Sequence, residues 1–222
     1  MSKILLIEDQ LERQNNFMSS LDFSLTDYKE VLNNAILENY QTISKELKDD
    51  IFNFDEYDII IVHKSAFENE VRTVISKLEH FCKETKKSLV LFGGDASSYY
   101  NNNEYEHLQI NSKFFYSENL KLFLDDYIEG NKNLLILSFG KKWQLNIVLN
   151  VVEKINFFLE KNSDEDIVYQ EFRNETDINQ LDNIEYSFYK VDVDEDNWVY
   201  REEIIKLKNS IDTYIEEYID NE

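Results

Sequence analysis

Proline is absent from the 222 residues, and there are only four glycines and one cysteine. With asparagine, lysine, isoleucine and tyrosine abundant beside it, the missing proline reads as a compositional bias of the source. The lone Cys82 excludes an internal disulfide, and a reducing cytoplasm is the expected setting. No apolar run approaches the roughly 20 residues needed to cross a bilayer, so no membrane association is expected. The first apolar run is too short, and too closely followed by acids, to be a signal peptide. Basic residues are also scarce: 23 against 45 acids, a net charge of −22. Residues 164–222 hold 19 acids and 5 bases, which puts −14 there and leaves −8 for the rest. Direct binding of a nucleic-acid backbone needs a basic footprint and is therefore not expected. An acidic surface suits solubility, a basic protein partner, or imitation of DNA.

What is present suffices for a core, with 42% hydrophobic and 14% aromatic residues. Lys3-Ile4-Leu5-Leu6-Ile7 is a short, continuous apolar run, and Glu8-Asp9 follows at once. Such runs fit strands buried on both faces of a parallel sheet. Asp58 to Val62 and Ser88 to Phe92 are two more, and Leu134 to Gly140 reads as a further strand. Helices are predicted over 10–21, 67–86, 117–129, 142–161 and 200–219 from apolar spacings of three and four. Ser117 is a plausible N-cap and Gly130 a plausible stop. Residues 24–53 permit a helix or a hidden short strand, 95–107 read as a loop, and 108–115 as a weak strand. Helix 142–161 is apolar nearly all round, so burial against the sheet or in an oligomer interface is expected. An acidic connector over 164–182 and a strand over 184–193 complete the reading. Alternating strands and helices predict an α/β fold: a doubly wound, mostly parallel sheet with a C-terminal α/β extension. The expected division is 1–130 and 131–222, with the extension on the same sheet.

The acid pair at the end of the first strand falls where open α/β sheets place their ligand crevice. Glu8 and Asp9, the Tyr57-Asp58-Ile59-Ile60-Ile61-Val62 run, and Lys113-Phe114-Phe115 with Leu120 seven positions after the lysine together resemble the receiver domain of bacterial response regulators. The resemblance covers about 1–130 and implies a flavodoxin-like, receiver-type fold. In that family the acid pair holds magnesium, an aspartate ending the third strand accepts phosphate, a Ser or Thr ending the fourth switches, and a lysine ends the fifth. Glu8, Asp9 and Lys113 match, although the family's proline after the lysine is missing. His63 stands at the acceptor position and Gly93 at the switch position. Imidazole cannot supply the metal's oxygen ligand or form an acyl phosphate, and glycine has no hydroxyl to be drawn toward one. The resemblance therefore implies a degenerate, non-catalytic pseudo-receiver that acts through protein contacts in a bacterial signalling or defence-type pathway.

Two other classes compete with that reading. Asp192, Asp194, Asp196 and Glu203 stand at loop positions one, three, five and twelve of an EF-hand-like calcium loop, with Asn197 in place of the glycine. Glu8 with Asp192 and Asp194 also resembles the acids of a Toprim fold, at a wider separation than that compact fold normally has. Glu8 and Asp9, with Asp192 and Asp194, make a magnesium-dependent enzyme the alternative, calcium being the ion of the EF-hand-like loop, and an acidic DNA mimic that occupies a basic partner is the second. Gly93-Gly94 is no phosphate loop, His80-Phe81-Cys82 lacks zinc spacing, and no serine elbow or cysteine–histidine motif occurs. A protein partner is expected, and a homo-oligomer stays open.

Overall fold

The computed structural model describes residues 3–36, 38–67, 70–94 and 99–221. Residues 95–98 of the expected loop, 68 and 69 of the expected 67–86 helix, and Leu37 lie outside these. The chain divides into two units, Met1–Lys141 and Lys142–Glu222. The boundary falls beyond the expected 130/131.

The first unit is α/β. Its elements are β1 (Ile4–Ile7), α1 (Leu11–Met18), β2 (Leu32–Ala35), α2 (Glu38–Lys48), β3 (Ile59–His63), α3 (Val71–Thr85), β4 (Ser88–Gly93), β5 (Tyr99–Asn101), β6 (His107–Asn111), α4 (Ser112–Phe115), α5 (Glu118–Ile128) and α6 (Leu135–Phe139). The six-stranded sheet has the order β2-β1-β3-β4-β6-β5, and only β5 is antiparallel. β2 is the strand hidden in 24–53. β5 lies inside the stretch expected as a loop, and residues 112–115 of the expected weak strand are helical.

The apolar runs fill the middle of this sheet because both faces are covered. Leu5, Ile7, Ile60, Val62, Leu89 and Leu91 pack with Leu47 of α2 and Val74, Leu78 and Cys82 of α3. Alternate residues point to the opposite face, where Phe92 stacks on Phe115 with ring centroids 4.2 Å apart. Full burial of such a side chain stabilises by roughly 1.5–3 kcal/mol. Ser117 caps α5 by accepting from the Asn119 N–H, and Gly130 ends it at φ 99°.

The run Leu134–Gly140 is not a strand. A short run buried all round cannot be told from a buried helix by periodicity. Here the Asn133 side chain accepts from the Leu135 N–H, starting a helical turn, and Gly140 at φ 73° closes it. The resulting α6 packs on α4 and α5.

The second unit contains α7 (Trp143–Lys161), β7 (Asp166–Val168), α8 (Tyr169–Thr176), β8 (Trp198–Tyr200) and α9 (Arg201–Asp220). β7 and β8 pair antiparallel as a separate ribbon. The expected connector 164–182 is thus largely structured. α8, α9 and a 3₁₀ turn at Ile178–Asn183 pack on α7. α7 is not buried all round, because Leu149 and Phe157 are exposed. Nor are residues 184–193 a strand. Their alternating Tyr186 and Phe188 lie against Tyr214 of α9, at 4.7 and 5.5 Å, and the Tyr189 N–H donates to the Ser210 hydroxyl. A helix, in place of a neighbouring strand, satisfies that segment. No described helix is long and apolar enough to cross a membrane.

Candidate functional site

The carboxyl ends of β1, β3, β4 and β6 carry Glu8, His63, Gly93 and Asn111. Glu8 follows β1 directly and is fully buried. Its oxygens accept from the Gln10 N–H at 3.0 Å, the Tyr116 hydroxyl at 3.0 Å, and Nε and Nη2 of Arg13. The same Nη2 donates to Asp9. One guanidinium therefore holds both members of the acid pair, the planar fork spanning two carboxylates as arginine geometry allows. Burial pushes the Glu8 carboxyl above the usual carboxylate range, against the hydrogen bond from Arg13. Arg13 itself is held above the usual guanidinium value: burial opposes this, and the bond to Glu8 outweighs it.

Beneath the pair runs a polar chain. Gln14 Nε2 donates to the Tyr116 hydroxyl at 3.3 Å, and the Gln14 and Asn34 amides bond each other at 2.9 and 3.2 Å. Arg13 also forms part of the wall of an open cleft of about 400 Å³, with Gln10, Glu12, Asn16 and Phe17.

His63 points to the same face as Glu8 and is nearly buried. Its Nδ1 accepts from the Ser65 backbone N–H at 3.2 Å and faces the Ser65 hydroxyl at 2.9 Å. A backbone N–H can only donate, so the neutral ring carries its proton on Nε2. Burial, reinforced by the Arg13 charge, lowers its pKa to about 4. At neutral pH it is an uncharged imidazole.

Glu8, Asp9 and His63 each bring one ligand atom within 4.8 Å of the others. By donor type alone they could hold a divalent ion. As arranged they do not fit one. The guanidinium already bridges the carboxylates, Nδ1 is engaged by Ser65, and Nε2 carries the proton.

Two other expected site residues are not brought in. A Cβ at Gly93 would meet the Lys64 side chain at 3.5 Å, on the face away from His63. Lys113 is exposed at the start of α4, and among the described residues no ion pair joins it to Glu8 or Asp9. Nor do Asp192, Asp194, Asp196 and Glu203 form a metal cluster among the described residues. Asp194 Oδ1 turns inward to accept from the Asp196 and Trp198 N–H groups. Glu203 is taken up by Lys206 and the Tyr189 hydroxyl, which hold its carboxyl below the usual range. They lie in the second unit and Glu8 in the first.

No family model, curated protein or solved structure matches the chain.

Arg13, Tyr116 and Gln14 are the site residues that sequence reasoning missed. Arg13 had a readable signal, since Asp9 and Arg13 are four apart on a predicted helix. Tyr116 had none, lying 108 positions from Glu8.

Proposed function

We propose that this chain is a non-catalytic pseudo-receiver, a regulatory module that works through contacts with a protein partner. Setting the antiparallel β5 aside, the parallel strands run 2-1-3-4-5 in chain order, the flavodoxin-like order of doubly wound sheets. Arg13 carries the reading. It places a fixed positive charge between Glu8 and Asp9, where a phosphoryl-transfer site of this class needs a metal ion to neutralise developing charge. The rest agrees: His63 is neutral and bonded to Ser65, and Lys113 stands apart. An acid pocket wired in this way is a structural staple of constant charge, so signalling would rest on surface recognition.

The test is intact mass after incubation with acetyl phosphate and magnesium. No added phosphoryl group is expected. A phosphorylated species lost on Glu8→Gln or Asp9→Asn substitution would overturn the reading.

A metal-dependent enzyme is the second reading, favoured by the convergence of Glu8, Asp9 and His63. It requires Arg13 to swing into the adjoining cleft. Calorimetric titration of the intact protein with magnesium, manganese and zinc separates the two. Saturable binding abolished by Asp9→Asn supports the enzyme.

A further inference from the structure

The connection from β4 to β6 holds no helix among the described residues, and instead it sends β5 to the sheet edge. On the α3 side, the helical layer ends at Val74, Leu78 and Cys82, with Tyr105 packed against that cluster. A cavity of about 350 Å³ lies there, lined by Tyr99, Asn101, Asn103, Glu104, Tyr105 and His107.

Three of its six lining residues carry aromatic rings. Tyr105 stacks on His107, with centroids 5.6 Å apart and planes 13° apart. Tyr99 stands edge-on to the same imidazole at 6.1 Å and 80°, and the residue is 46% exposed. The Tyr99 hydroxyl accepts from Asn101 Nδ2 at 3.0 Å, which steadies it without covering the ring face. His107 is 8% exposed, and its Nε2 has no hydrogen-bond partner among the described residues. A buried polar atom left in this state is costly unless something completes it. Its Nδ1 shares a 3.3 Å hydrogen bond with the Tyr105 hydroxyl.

The charged side chain in the cavity wall is acidic. Glu104 is in the wall, and no lysine or arginine is. Lys83 is bound to the Glu104 carboxylate at 2.6 Å and Lys86 to its main-chain oxygen at 2.9 Å, and the Lys64 ammonium, whose charge acts on His107, is bound to Gln109 at 2.6 Å. The whole chain carries −22. Aromatic faces beside a carboxylate are the environment that organic cations seek, through ring quadrupole and ion pairing together.

We propose that this cavity binds an alkylammonium or guanidinium group, the head of a lysine or arginine side chain or of a free small cation. The cation lies against the Tyr99 and Tyr105 rings and competes with Lys83 for Glu104, beside the His107 imidazole. The inference stands apart from the acid pocket and does not rest on the pseudo-receiver reading.

The chain has three histidines, so the His107 ring signal can be assigned in a proton NMR spectrum by single substitutions of His63, His80 and His107. The intact protein is titrated with N-acetyl-arginine amide, N-acetyl-lysine amide, tri-arginine and tetramethylammonium, with N-acetyl-norleucine amide as the uncharged control. Saturable movement of the His107 signal by the cations and not by norleucine is expected. Tyr99→Ala and Glu104→Gln should each weaken it by about fivefold or more at unchanged melting temperature. Tighter binding of tri-arginine than of tetramethylammonium assigns the site to side chains of a basic protein, and the reverse order assigns it to a free cation. No saturable shift with any cation, or an equal response to norleucine, overturns the proposal. If Tyr99→Ala does not fold, Glu104→Gln decides, and cation binding unaffected by it also overturns the proposal.

Discussion

Tyr116 donates its hydroxyl to Oε2 of Glu8 at 3.0 Å across 108 positions of sequence, joining the segment between α4 and α5 to the end of β1. The bond is buried on both sides, and Tyr116 is held protonated, first by burial and then by the Glu8 charge. A carboxylate with no access to water needs each of its donors. Tyr116→Phe should therefore cost about 1–3 kcal/mol in urea unfolding, since the oxygen left behind is desolvated and under-bonded. A loss under about 0.5 kcal/mol would show that water or Gln14 takes over the role.

Arg13→Ala should do more. It strands a buried charge, for which about 3 kcal/mol is the expected loss. It also removes the cation from between Glu8 and Asp9. Millimolar magnesium or manganese should then raise the melting temperature of the variant while leaving the parent unmoved. Adding Glu8→Gln to the variant should recover part of the stability and abolish the metal effect. A variant indifferent to metal would mean that these carboxylates cannot form a cation site even when vacated.

The neutral His63 makes stability depend on pH. Its folded pKa lies near 4 because of burial and Arg13, and its ordinary value is 6.5. Above pH 6.5 neither state is protonated and nothing is lost. As pH falls from 6.5 toward 4 the unfolded chain takes up a proton that the folded one refuses, so stability declines through that window. The His63 share is on the order of 3 kcal/mol. His107, also lowered by burial, acts in the same direction. The contribution of His63 is therefore the difference between the parent and His63→Gln across pH 7 to 4. Parallel curves would refute it.

A chain cut after Gly130 loses α6, leaving apolar surface of α4 and α5 bare. It should bind a hydrophobic dye and aggregate, whereas a chain ending at Lys141 should not. Size-exclusion chromatography of the two fragments is the check, and equal behaviour would make α6 dispensable.

Asn197 adopts φ 67° in the turn before β8. Asparagine tolerates this left-handed conformation, and most other residues with a Cβ pay about 1–2 kcal/mol for it. Asn197→Ala should destabilise by about 1 kcal/mol and Asn197→Gly should be close to neutral in thermal melts. The opposite order would mean that the turn rearranges.

The three apolar runs of β1, β3 and β4 were legible because burial on both faces leaves no polar position to confuse the period. The acid pair and His63 were placed correctly at their strand ends for the same reason. Leu134–Gly140 misled because it has the same composition and is set apart by one Asn133 cap, a contact that hydrophobicity does not encode. Tyr186 and Phe188 alternate like a strand, yet their partner is Tyr214, a choice made by tertiary packing. The meaning of the acid pair depended on Arg13, visible as a four-residue spacing but ambiguous between a surface pair and a site. Tyr116 could not be linked to Glu8 without the fold.

β5 has a consequence for how copies of this chain behave when crowded. It is three residues long, antiparallel to its neighbour, and forms one rim of the sheet. The other rim, β2, is four residues with asparagines at 33 and 34, whose amides bond Tyr57 and Gln14. Long, flat, apolar rims are what let sheets zip together into fibres. Here each rim offers only a stub of free backbone, and on one of them the side chains are already committed. Among the described residues, this sheet therefore offers little template to extend at the concentrations where strand-edge fibrils form.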